Sequence, residues 1–241
     1  MNSLERFSSR ARDYAAFRPS YPREAVDAVL EGLGDPRRLT VADVGAGTGI
    51  SSRLFADRGA SVIAIEPNAR MREAAQPHPR VSWREGTGER TALLDASVDL
   101  VVACQAFHWF ATAASLEEFR RIARRRAAML QYERDECHPF TKAFGKIVRA
   151  YATDDTELLR AKALEIFRGF PHARVRAGTA HFKQSLNGYA LLGRIASASY
   201  LPSDGPAAGA LRAEIEALFE RHREGDRVDL MMVTHVLCAD W

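Results

Sequence analysis

Cysteine is scarce in this 241-residue chain: Cys104, Cys137 and Cys238 lie far apart, in no CxxC or Cys/His cluster. That argues against a disulfide framework and a structural zinc site, and no metal is expected. Lysine is scarcer than arginine, with only Lys142, Lys146, Lys162 and Lys183 among 34 basic residues. Neither sign of charge dominates: 34 Lys+Arg against 31 Asp+Glu leaves +3. A balance that close does not call for nucleic acid or an anionic membrane as partner. No Asp/Asn-Pro-Pro-Tyr-like motif of nucleic-acid methylation occurs. No apolar run approaches the ~20 residues that span a bilayer. Low-complexity segments and internal repeats are also absent.

What remains is globular. Hydrophobic residues make up 46% and charged residues 27% of the chain, enough for one domain over 1–241 with a sizeable core. Met1–Tyr14 carries three Arg and three Ser, but also Glu5 and Asp13 and no apolar core. It reads as part of the mature protein, and a reducing, cytoplasmic setting is expected.

From Arg37 onward, strand-like runs alternate with helical ones. Leu39–Asp43, Ser61–Glu66, Arg80–Arg84, Ser97–Cys104 and Ala127–Tyr132 read as strands. Ile50–Arg58, Asn68–Ala75 (with Asn68 as its N-cap) and Leu116–Arg125 read as helices. The alternation predicts a parallel α/β sheet covered on both faces. After Asp135 the pattern changes. Pro139–Arg168 reads as helical, Thr179–Ser185 as an outer strand, Asn187–Ser199 and Pro206–Arg223 as helices, and Val228–Cys238 as a last strand.

The strongest chemical signal is VADVGAGTG, residues 41–49. A strand feeds a glycine turn and then a helix N-terminus, where backbone can approach a ligand closely. The second strand ends in Glu66, 23 residues beyond Asp43, where an acid suits two ribose hydroxyls. The spacing is Gly-x-Gly-x-Gly, not Gly-x-Gly-x-x-Gly, and Asp43 stands two residues before the first glycine. A carboxylate there repels a pyrophosphate but attracts the sulfonium and ammonium of S-adenosylmethionine (SAM).

These residues resemble a class I SAM-dependent methyltransferase of the small-molecule type 11 group, and more narrowly the trans-aconitate-methyltransferase-like proteins. The likeness rests on VADVGAGTG, on Phe7…Tyr14…Arg18-Pro19…Tyr21-Pro22, on SVDLVVACQAFHWF (97–110) and on the final strand. Two places depart from that group's pattern. Arg124-Arg125-Arg126 replaces a Pro-Gly-Gly turn, and Tyr132-Glu133 replaces Trp-Asn. The resemblance implies a Rossmann-like, seven-stranded sheet with helices on both faces. It also implies an inserted helical cap over 137–178 and an N-terminal lid over 1–22.

It further implies site roles. Asp43, Gly45, Ala46 and Gly47 line the methionine part of SAM, and Glu66 takes the ribose hydroxyls. Pro67 and Met71 sandwich adenine, and Gly88 and Glu89 meet its edge. Gln105 and Ala106 lie by the reacting methyl. Arg18 clamps the cofactor carboxylate and Tyr14 closes over the methyl. Tyr14, Gln105 and His108 are the catalytic candidates, with His108 read as a packed, positioning residue rather than a base.

Methyl transfer needs alignment and exclusion of water more than a base. The expected acceptor is a small, acidic or heteroaromatic molecule methylated on O or N, by a monomer or homodimer. Arg149, Arg174, Arg176 and Arg194 are the arginines available to an acidic acceptor. An NAD-dependent oxidoreductase and a catalytically silent SAM-binding protein remain the alternatives.

Overall fold

The computed structural model describes residues 16–241. Seven strands form one sheet in the order β3-β2-β1-β4-β5-β7-β6. They are β1 (Thr40–Val44), β2 (Ser61–Ile65), β3 (Val81–Arg84), β4 (Val98–Cys104), β5 (Ala123–Arg134), β6 (Arg174–Leu186) and β7 (Val228–Asp240). The first five run parallel, and β7 is antiparallel to both β5 and β6. The helices are α1 (Arg23–Leu30), α2 (Ile50–Asp57), α3 (Ala69–Glu73), α4 (Ala113–Ile122), α5 (Pro139–Tyr151), α6 (Thr156–Arg168), α7 (Gly188–Ala196) and α8 (Gly205–His222). Among the described residues no helix is long and apolar enough to cross a membrane.

Strand parity divides the core in two. Val41, Val62, Leu100, Val102 and Leu130 face one side, with helical residues such as Val26, Phe55, Phe144, Leu191 and Leu211. Ala42, Val44, Ile65, Val101 and Met129 face the other, against Phe119 of α4 and Phe167 of α6. Apolar residues on both faces of the same strand are what a doubly covered parallel sheet requires.

Local signals start several helices. Asn68 caps α3 by accepting from the Arg70 and Met71 amides at 3.0 and 3.4 Å. Asn187 does the same for α7 through the Ala190 amide at 2.8 Å.

Two segments differ from the sequence expectation. The helix expected through Arg125 stops at Ile122, and β5 begins at once with Ala123. No loop stands where the related group carries its turn. The three arginines are strand residues held by distant partners. Arg124 pairs with Asp99 at 3.1 Å, and Arg125 donates to the Leu33 carbonyl at 2.6 Å. Arg126, 6% exposed, donates to Asp240 and to the carbonyls of Val29 and Glu31 at 2.5, 2.5 and 2.8 Å. Strand pairing and these bonds override arginine's preference for helix.

The second difference lies past the cap helices. The helical stretch is α5 and α6 alone, because β6 begins at Arg174, paired with Asp240 of β7. Residues 174–178 are therefore strand, and the helical insertion is shorter than 137–178.

Candidate active site

The strand order reverses between β1 and β4, and open α/β sheets bind ligands at such a switch point, beyond the carboxyl ends of the strands. Residues 45–49 leave β1 there. The register Val44↔Ile65 sets Glu66 level with Gly45, and the amides of Gly45 and Ala46 donate to the Ile65 carbonyl at 2.8 and 3.1 Å. Gly45 takes φ +73°, and a Cβ there would fall 2.6 Å from the Ala106 Cβ. Only glycine lets the β1 turn lie this close to the turn after β4.

Asp43 is fully buried under this loop. One carboxylate oxygen accepts from the Ser51 and Ser52 hydroxyls at 2.7 and 2.6 Å. The other, Oδ1, is buried with no partner among the described residues, as is Oγ1 of Thr48 in the same turn. Burial raises the Asp43 carboxyl to about 6, against the lowering effect of the two serines. A cation brought to Oδ1 relieves that burial penalty.

Glu66 is 8% exposed and accepts from the Gly47 amide with one oxygen and the Asn68 amide with the other, both at 2.9 Å. Burial raises its carboxyl too, opposed by those two amides. Pro67 is half-buried beside it and Met71 is buried at 4% exposure. Gly88 is buried, and a Cβ there would collide with the Phe110 ring. Glu89 lies exposed in the Thr87–Arg90 turn with no side-chain partner among the described residues. Ala106 is buried against Gly45.

The catalytic candidates separate. Tyr14 lies outside the described residues, as does the larger part of the N-terminal segment expected as a lid. The part described, from residue 16, is tied to the body. Arg18 donates to the Ser197 carbonyl at 3.0 Å, and Tyr21 packs on Tyr132 with ring centroids 5.6 Å apart. Gln105 takes the left-handed conformation at φ +54°. Its side chain donates to the Tyr132 carbonyl at 3.1 Å and accepts from the Tyr132 amide at 2.9 Å. The amide is thus occupied in clamping β5 to the end of β4.

His108 sits in a 3₁₀ turn, Phe107–Trp109, at 6% exposure with its ring 4.8 Å from Trp109. Nδ1 is buried with no partner among the described residues. Burial, then the nearby Arg160 and Arg18, hold its pKa well below 6.5. The imidazole is neutral at physiological pH and too weakly basic to hold a proton there. His108→Asn is therefore expected to keep the methyl-transfer rate within about tenfold, against the ~10²–10⁴-fold loss of a general base. A loss beyond a hundredfold in a stably folded variant, with a near-neutral step vanishing from the pH profile, would make His108 the base.

A second group of residues stands next to this. Beyond the end of β5 lies a cavity of about 260 Å³ lined in part by Tyr132, Arg134, Arg160, Arg194 and Tyr200. Its carboxylates are taken. Glu133 meets His235 at 2.7 Å, Glu136 meets Arg149 at 2.5 Å, and Glu157 meets Arg134. Arg194, on α7, is 8% exposed and has no carboxylate partner among the described residues, and burial lowers its pKa to about 10. Arg160, on α6, likewise has a buried Nε without a partner among the described residues. A smaller cavity contiguous in its lining shares Arg160 and Tyr200 and adds Arg18, Gln105, His108 and Trp109. Tyr132 in turn lines a crevice with Gly45, Ala46 and Tyr21. Of the four arginines named from sequence, only Arg194 has this character. Arg149 is paired with Glu136, Arg176 with Asp240 at 3.5 Å, and Arg174 is exposed. Ser51, Ser52, Arg160 and Tyr200 carried no spacing signal in the sequence.

Residues 42–130 match the family profile described as a methyltransferase domain. The chain is a SAM-dependent methyltransferase. An uncharacterised methyltransferase of Mycobacterium tuberculosis is 35% identical over 145 residues, 59% of this chain and 58% of that protein. A methyltransferase-like protein of Schizosaccharomyces pombe is 28% identical over 187 residues, 76% of this chain and 73% of that one. The chain thus spans under two thirds of the mycobacterial relative's length. In fold, a methyltransferase structure from Anaeromyxobacter dehalogenans superposes with a TM-score of 0.70 at 24% identity, covering 93% of this chain and 97% of that one.

The methyltransferase's donor set fits SAM. Asp43 Oδ1 is buried under a glycine cradle with no partner among the described residues, and Glu66 stands at the β2 end. Bound there, SAM supplies a methyl group on a cationic sulfur, already activated for displacement.

Proposed function

We propose that this methyltransferase transfers the methyl of SAM to an O or N atom of a small acidic molecule. The acid enters the cavity beyond β5, and its anionic group meets the guanidinium groups of Arg160 and Arg194. One observation carries this reading: Arg194 is buried in that cavity without a carboxylate partner among the described residues. A buried guanidinium is costly unless an anion joins it. Asp43, the Gly45–Gly49 turn and Glu66 hold the cofactor at the strand ends, and Gln105 fixes the floor between the two ligands by tying β4 to β5. Trp109, Tyr132 and α6 exclude water from the meeting point.

The test is a screen for SAM-dependent turnover with small carboxylic acids set against their neutral methyl esters. Acids are expected to turn over and esters to fail. Arg194→Met is then expected to raise KM about 10–150-fold with kcat little changed, as loss of a charged hydrogen bond of ~1.5–3 kcal/mol dictates. Turnover of esters as readily as acids, or an unchanged KM in the folded variant, would overturn the acidic-acceptor reading.

A further inference from the structure

Tyr200 is the one titratable side chain common to both cavities that the functions above leave unused. It is 6% exposed, yet its hydroxyl makes no hydrogen bond among the described residues. Tyr200 lines the walls of both cavities. Its backbone is fixed: the carbonyl accepts from the Thr153 amide at 2.9 Å and from the Thr153 hydroxyl at 3.1 Å. The Arg160 guanidinium stands 5.9 Å from its ring centroid.

We propose that Tyr200 accepts the proton of the methyl acceptor, an acid that carries an N–H or O–H nucleophile besides the group held by the arginines. This rests on the cavity beyond β5 being the acceptor pocket. In the step, the nucleophile's lone pair forms the bond to the methyl carbon. The carbon–sulfur pair leaves with sulfur, and the nucleophile's proton goes to Tyr200 Oη, which returns it to water.

The surroundings favour the phenolate. Burial alone pushes the phenol up, but Arg160, Arg18, Arg194 and Arg134 outweigh it and bring it from 10 to about 8. These cations come from α6, the N-terminal segment, α7 and β5. Of the cavity carboxylates, Glu133 is hydrogen-bonded to His235, Glu136 is paired with Arg149 and Glu157 with Arg134, and His108 is neutral. Glu66 and Asp43 lie at the cofactor loop, outside the linings that contain Tyr200.

The chain has six tyrosines, so an ultraviolet difference titration of wild type against Tyr200→Phe isolates this one. It requires no acceptor. A tyrosinate step near pH 8 is expected in wild type and absent from the variant, and Arg160→Met should move it toward the ordinary phenol range. The second readout is the pH dependence of single-turnover methyl transfer to whichever carboxylic acid turns over in the screen. The rate should rise with pH through about 8, and Tyr200→Phe should flatten that rise and cost ~10²–10⁴-fold on its upper plateau. A missing titration step overturns the proposal even if no acceptor is known. A titration step with an unchanged kinetic profile in Tyr200→Phe also overturns it. Failure of every acid in the screen, with the titration step present, refutes the acidic-acceptor reading instead. Should Tyr200→Phe fail to fold, the Arg160→Met shift of both steps decides.

Discussion

Glu66→Ala is expected to raise the dissociation constant for SAM by roughly 10–150-fold, equivalent to ~1.5–3 kcal/mol. Two effects act together. The ribose loses a carboxylate acceptor placed at the end of β2, and charge-assisted bonds are about twice as strong as neutral ones. The same oxygens also hold the loop: Gly47 and Asn68 each donate a backbone amide to Glu66 at 2.9 Å. Removing the carboxylate leaves both amides without that partner and frees the turn from β2. Glu66→Gln keeps one acceptor oxygen but sets an NH₂ group against the other amide, so its affinity should fall between wild type and Glu66→Ala. Titration calorimetry on each protein measures the affinity, with circular dichroism to establish folding. A folded Glu66→Ala variant that binds SAM as wild type does would remove Glu66 from the cofactor site.

The cofactor half of the site was legible because each part is written locally. The glycine turn, Asp43 before it, Glu66 at the next strand end and Asn68 as a cap each depend on a few neighbouring residues. Parallel pairing then brings the pieces together without further information, since β1 and β2 lie side by side in register. The acceptor half was not legible in this way. Arg194 could be named as a candidate from sequence, but not ranked above Arg149 or Arg176. Its isolation depends on α7 burying it in the cavity beyond β5, while the other two find carboxylates. Arg160 and Tyr200 come from α6 and from the segment after α7, with no spacing that marks them.

Gln105 and the arginine run at 124–126 show the same limit from the other side. Gln105 ends β4 as expected, yet its amide is consumed by the Tyr132 backbone. That follows from the β4–β5 register, which the chain around Gln105 does not encode. The run Arg124-Arg125 reads locally as the end of a helix. It becomes strand because Asp99, Asp240 and the carbonyls after α1 lie within reach only once the sheet is assembled. In both cases tertiary partners override a local preference.

Charge separates the two halves of the site. The cofactor loop has a buried acid beneath it, and the cavity beyond β5 has two arginines, Arg160 and Arg194, with no carboxylate partner among the described residues. In the proposed reading, a cationic cofactor and an anionic acceptor are each drawn to their own side. They meet where Gly45, Ala46 and Tyr132 share a wall.

The Gly45 turn beside that wall tolerates no added side chain without strain. Gly45→Ala is expected to destabilise the protein by ~2–5 kcal/mol. About 1–2 kcal/mol of that comes from forcing a side chain into the left-handed region, where Gly45 sits at φ +73°. The remainder is overpacking, ~1–3 kcal/mol, since the new methyl would lie 2.6 Å from the Ala106 Cβ and 3.1 Å from the Phe110 ring. Neither neighbour can give easily. Ala106 follows Gln105, which is anchored to β5, and Phe110 also covers Gly88. Gly34→Ala is the matched control, with φ +91° but nothing within 4 Å of its Cβ position. It should show the backbone term alone and bind SAM as wild type does. Thermal melts of the three proteins, with and without SAM, separate the terms. Gly45→Ala should melt below Gly34→Ala and should lose most of the stabilisation by SAM, because the turn moves away from Ala106. Equal melting of the two variants with equal SAM stabilisation would show that the close approach of Gly45 to Ala106 constrains neither folding nor binding.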